Sequence, residues 1–247
     1  MNIACLVPSV LPDMRHLKLL MHADRIIYII DEPFSRKSQA HRGRIPADGS
    51  GAAWLTLPVV PEDKKKPLRH VRIAGKSWID TFMKTLTSAA GQAVYYDFYE
   101  AELRADFENA WQAGLPDAAA ESDEAAEMHS FLLPIIQHLN ERLFHYLELP
   151  PRFAARPEWM STAGFNASLA QYRASDPLHI WIEPRGSYFR QLGKLPPQAQ
   201  VSTPEVSLPA YSRGAYAPAA EGHEYSLLDL LFHHGPLSFR VLDLLQA

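Results

Sequence analysis

Two short runs of apolar residues, each bounded by polar or turn-forming ones, set the frame of the N-terminal part of this chain. IACLVPS begins at Ile3, and RIIYII spans 25–30. Their length and β-branching predict buried strands. Between them, DMRHLKLLMHA places Met14, Leu17, Leu20 and Met21 at helical spacing, with Asp13 positioned to cap the first turn. Pro8 and Pro12 bracket the turn that joins the first strand to this helix. Strand, helix, strand within about thirty residues favours a parallel sheet with helices packed on it.

Further along, AAWLTLPVV predicts a third strand, and LRHVRIA alternates as a half-exposed one. SWIDTFMKTLTSAAG predicts a helix opened by Ser77 and closed by Gly91. YYDFYEAELRADFENAW predicts another with an aromatic face, and GLPDAAAESD breaks the pattern. The stretch from Glu124 to Leu149 predicts a long helix that Pro134 must kink or delay. Leu132, Ile135, Ile136, Leu139 and Leu143 mark its buried side, which leaves His138, Glu141 and His145 on a polar outer face. FNASLAQYRAS predicts a helix and LHIWIE a strand. The Pro-rich stretch 195–222 predicts loop, with EVSL as a short strand at most. SLLDLLFHHGP predicts a final helix capped by Ser226 and stopped at Gly235 and Pro236. The sum is one α/β domain over 1–247, with a mixed or mainly parallel sheet, flanking helices and a mainly helical insertion at about 77–150.

Charge changes this picture locally. The chain carries 24 Lys plus Arg against 28 Asp plus Glu, which argues against a nucleic-acid partner. Yet SRKSQAHRGRI, residues 35–45, gathers Arg36, Lys37, Arg42 and Arg44 around His41, directly after the second strand. Loops leaving the carboxyl ends of such strands are where open α/β sheets bind ligands. Arginine forks match phosphate and carboxylate two bonds at a time. The expectation is therefore a small anionic substrate such as a diphosphate or a nucleotide sugar, with His41 available for proton transfer. The competing reading is a solvated basic surface, as also holds for the Lys64–Lys66 run. Asp229 and His233 stand four apart on the final helix, so a carboxylate can orient an imidazole there.

Other chemistry is not indicated. The histidines match no zinc spacing, so no metal is expected, and nothing singles out a cofactor. The one cysteine, Cys5, lies mid-strand and predicts an inert buried thiol. No apolar run has the length of a membrane span, and a cytoplasmic protein is the expectation.

Two stretches together resemble the WbqC-like family. One is VPSVLP followed by IIYIIDEPFSRKSQAHRGRI and WLTLPV, and the other is SLLDLLFHHGP. Their combined order is the specific part, covering roughly residues 6–60 and 226–236. The resemblance implies a place in surface-polysaccharide biosynthesis, O-antigen included, and an acyl or glycine-type aminoacyl transfer to an amino sugar, so that the basic segment would hold the diphosphate of a nucleotide sugar or the phosphate of an activated acyl donor. It adds Ser9, Asp31, Ser35 and Trp54 to the substrate-binding set of Arg36, Lys37, Arg42 and Arg44, with His41, Asp229 and His233 as catalytic candidates. The chain departs from the family pattern at Asp13, Met14 and Arg15, at Ala40 and His41, and at His233. Two other readings stay open: a nucleotidyl or adenylyl transferase, and a non-enzymatic binding protein of a biosynthetic cluster. The absence of a paired HxGH motif counts against the former.

Overall fold

The computed structural model describes residues 1–47, 51–116, 129–149, 157–172, 177–182, 195, 199–202 and 225–243. The opening follows the sequence pattern: β1 (Asn2–Leu6), α1 (Met14–His22) and β2 (Arg25–Ile29). Asp13 caps α1 by accepting the His16 backbone N–H at 2.8 Å. β3 (Arg42–Pro46) and β4 (Ala52–Thr56) form an antiparallel pair. β5 (Arg72–Ala74) pairs antiparallel with β6 (His129–Phe131). Between those two lie α2 (Trp78–Ala90) and α3 (Tyr96–Ala113), and α4 (Leu132–Tyr146) follows β6. Then come β7 (Glu158–Met160), α5 (Thr162–Leu169), β8 (Leu178–Ile182), β9 (Ala199–Ser202), α6 (Leu227–His234) and α7 (Phe239–Asp243).

The central sheet has five strands in the order β7-β2-β1-β8-β9, and every pairing is parallel. Numbered along the chain, that order is 3-2-1-4-5, the doubly wound arrangement with a reversal point between β1 and β8. Both faces are covered, as parallel sheets require. Ala4, Leu6, Ile26 and Tyr28 face the larger core with Leu17 and Leu20 of α1. Ile3, Cys5, Ile27 and Ile29 face a smaller core closed by Phe165 and Leu169 of α5. Burial pushes the Cys5 thiol up to about 12, which leaves it protonated and inert. Trp78, Phe82 and Phe107 interlock edge to face and join α2 to α3.

Several local expectations need correction. The basic stretch is not all loop, since its last four residues, Arg42 to Ile45, belong to β3. The long helix starts only at Leu132, which puts Pro134 in its first turn, where the missing N–H is harmless. The residues just before it form β6. Ser77 makes no capping bond to α2. α5 begins at Thr162, earlier than FNASL suggested, and β7 and β9 have no counterpart in the apolar pattern. The EVSL segment lies outside the described residues.

Candidate functional site

The turn after β1 is the foundation. Its Val10 N–H and Ser9 hydroxyl both donate to the Gln39 carbonyl, at 3.2 and 3.3 Å. Gln39 returns the contact, donating its side-chain amide to Asp13 Oδ2 at 3.2 Å. One Asp13 oxygen thus caps α1 while the other holds the basic segment. Ser9 is fully buried, so its hydroxyl serves this join.

β3 then lies directly on the turn. A Cβ added at Gly43 would sit 2.6 Å from Leu11 Cβ, so only glycine permits this approach. The strand's alternation sends Gly43 and Ile45 inward and Arg42 and Arg44 to the opposite face. Trp54, paired with Arg44 across the hairpin, shares that face and is 47% exposed. The Arg42 guanidinium carbon lies 4.2 Å from the Trp54 ring centroid. That of Arg44 lies 5.5 Å from Trp54 and 5.6 Å from the Tyr225 ring. The Arg42 Nε is buried without a hydrogen-bond partner.

The final helix completes the junction. The Ser226 N–H donates to the Arg44 carbonyl at 2.7 Å, and the Leu227 N–H to the Pro12 carbonyl at 2.9 Å. Ser226 caps α6 by accepting the Leu228 N–H. Asp229, in the first turn, is buried, and its Oδ1 lies 3.5 Å from His233 Nε2. Residues 9–13, 39–44 and 226–229 therefore meet at one place, beside the carboxyl end of β1.

His41 occupies a different niche. It is buried, packs edge-on to Phe34 at 4.8 Å and has an unpartnered Nδ1. Burial first, then the charges of Arg42 and Arg36, push its pKa down to about 4 against an opposing Ser38 backbone bond. No described hydrogen bond or ion pair links it to Asp229 or His233. Asp31 accepts both the backbone N–H and the hydroxyl of Thr162, at 2.9 and 2.8 Å, and so fixes the start of α5. Ser35, Arg36 and Lys37 form an exposed turn, with the Ser35 hydroxyl accepting the Lys37 N–H. Gln39, Gly43 and Tyr225 are structural members of the site that sequence reasoning missed. A lone amide within a charged run was the only signal for Gln39.

The described residues contain no group of three His, Cys, Asp or Glu able to hold a metal ion. None of their helices is long and apolar enough to cross a membrane.

Fold and site together define a doubly wound α/β protein with a cationic, aromatic-backed face beside its sheet's carboxyl edge. The model of the WbqC-like protein family matches residues 8–169, more than half of the chain, and the protein belongs to that family. The match takes in the β1 turn, the basic segment and the β3–β4 hairpin, and it ends before α6. No curated protein gives a significant match. No solved structure does either.

Proposed function

We propose that this protein transfers an acyl or glycine-type aminoacyl group to the amine of an amino sugar in surface-polysaccharide, O-antigen-like biosynthesis. The anionic part of the ligand, a nucleotide diphosphate or the phosphate of an activated donor, would lie against Arg42 and Arg44. One observation carries this reading: two guanidinium groups share one face of β3, backed by Trp54, with an unpaired Arg42 Nε. Stacking fixes the planar donor fork and lowers the ordering cost of gripping an anion. In the reaction the amine nitrogen attacks the acyl carbonyl. A C–N bond forms, the bond to the leaving group breaks, and that group departs with the electron pair. A base takes the amine proton, typically worth about 10² to 10⁴ in rate. His233 suits that role better than His41, because it is partly exposed and the Asp229 side chain, 3.5 Å from its Nε2, can orient the ring. His41, with its pKa held near 4, is a weak base beside two cations.

Strand order 3-2-1-4-5 favours a second reading, nucleotidyl or adenylyl transfer, since nucleotides bind at the reversal point of such sheets. Two features weigh against it. The Asp13 carboxylate already occupies the α1 N-terminus, where a phosphate would meet like charge. His16 is fully buried against the Tyr28 hydroxyl, 2.9 Å away, and cannot reach a triphosphate there.

Thermal unfolding against amino-sugar nucleotides, acyl-CoA, ATP and inorganic phosphate tests the proposal. A ligand that binds only the folded state raises Tm by mass action. The expected result is a rise with amino-sugar nucleotides that Arg42→Ala abolishes without changing the unliganded Tm by more than a few degrees. A rise with ATP alone, accompanied by pyrophosphate release, would replace transfer to an amine with nucleotidyl transfer. Binding without turnover of any acyl donor would leave a binding protein.

A further inference from the structure

Two pairs of cations far apart in sequence project from the same end of one folded ribbon. Residues 30–34 and 66–69 run antiparallel, joined by the Arg69 N–H to the Ile30 carbonyl, Leu68 to Glu32, and Phe34 to Lys66, at 2.8 to 3.0 Å. Pro33 and Pro67 bridge between them. The next residues outward are Ser35, Arg36 and Lys37 on one side and Lys65 and Lys64 on the other. Arg36, Lys37, Lys64 and Lys65 are all exposed, and none forms an ion pair among the described residues. Lys66 differs: it is held by the buried Asp63, which Arg72 also grips. Glu62 is the one exposed acid on the second tip, so four cations with no ion pair among the described residues face that single exposed anion on a chain of net charge -4.

Lys65 supplies an independent clue. Its φ is +69°, a left-handed conformation that Gly or Asn adopts at lower cost. A lysine at a strained, exposed tip is a candidate for use of its charge. Neither tip carries an aromatic side chain on which a base could stack. Flexible ammonium groups suit a diffuse field better than they suit paired recognition.

We propose that this end of the molecule docks on an anionic phospholipid bilayer. The field of such a surface falls off within a Debye length, about 8 Å at physiological salt, so the two tips feel it while the acidic remainder is screened. The inference stands apart from the transferase reading, since Lys64 and Lys65 lie outside the proposed ligand site.

Cosedimentation of the full chain with phosphatidylcholine vesicles, with and without phosphatidylglycerol, tests it. The variant is Lys64→Gln with Lys65→Asn, chosen because asparagine tolerates the left-handed tip. The wild type should pellet with phosphatidylglycerol vesicles only, and less as salt rises. The double variant should bind about 30-fold more weakly, from two charges lost near the surface. Its unchanged circular dichroism and Tm would exclude misfolding. Equal binding to neutral vesicles, no binding to anionic ones, or undiminished binding by the variant would overturn the proposal. Tighter binding to duplex DNA than to anionic vesicles at the same salt would also overturn it, in favour of a nucleic-acid surface. Ligand-induced Tm shifts are unaffected by any of these outcomes, so the two proposals fail separately.

Discussion

Mild acid should destabilise this protein through His41. Its side chain is buried, and its pKa in the fold is about 4 against an ordinary 6.5. Between those values the unfolded chain binds a proton that the folded one does not, so stability rises with pH across the window. The contribution is fully present above the unfolded value and is lost as pH falls toward 4. Two and a half units correspond to about 3 kcal/mol over the whole window, of which about 2 kcal/mol falls between pH 7 and pH 5. Other groups titrate in that range too, so the informative quantity is a double difference. Urea unfolding of the wild type and of His41→Gln at both pH values isolates it. The wild type should lose about 2 kcal/mol more than the variant on acidification. Parallel losses would refute the burial and charge argument. Arg42→Ala supplies a cross-check, because removing one of the two cations should shrink the wild-type loss.

Two further substitutions test the packing beneath the site. Gly43→Ala forces a Cβ to within 2.6 Å of Leu11 Cβ, and overpacking of this kind costs about 1–3 kcal/mol, readable by denaturant titration. An alanine variant of unchanged stability would show that β3 does not rest on the β1 turn. Asp63 is fully buried and accepts from the Arg72 backbone and guanidinium and from Lys66, and the Arg72 guanidinium, first among these, holds its carboxyl well below the usual range. Asp63→Asn should therefore cost about 2–4 kcal/mol at neutral pH. The gap to wild type should narrow in strong acid, because the wild-type contribution is present above the ordinary carboxylate pKa and lost as pH falls through the depressed one. A gap independent of pH would contradict the ion-pair account.

The parts of the fold legible in sequence are those whose apolar signal is continuous. β1, β2 and β8 sit inside the sheet, so both faces are apolar and the runs stand out. β7 and β9 are edge strands of three and four residues, too short for an alternation to show, and only their parallel neighbours define them. β3 was hidden for another reason. Its period-2 pattern is present, Arg42 and Arg44 against Gly43 and Ile45, but one inward residue has no side chain and both outward ones read as loop. The site was legible as charge and not as connection. Nothing in one sequence pairs Gln39 with Asp13, or Ser226 with Arg44, because both contacts depend on how distant segments stack over the β1 turn. The Ser77 cap failed because a serine before an apolar period need not adopt cap geometry; its backbone is already helical.

The joining bonds bear on how the site would work. α6 donates its Ser226 N–H to the carbonyl of Arg44, whose side chain faces Trp54 and Tyr225 on the cationic face. The next N–H of the same helix end goes to the Pro12 carbonyl, beside the Asp13 that binds Gln39. The proposed anion grip and the Asp229–His233 pair are therefore mounted on one hydrogen-bonded junction rather than on independent loops. Asp229 lies in the first turn of α6, where the positive end of the helix dipole offsets the cost of a buried carboxylate. A carboxylate kept in place by the fold can hold its imidazole whether or not ligand is bound. That is the preorganisation expected of groups that must meet a substrate in fixed geometry. It also explains why segments at opposite ends of the chain, the β1 turn and the SLLDLLF helix, share one structural fate. Shifting either would move the cations, the carboxylate and the imidazole together.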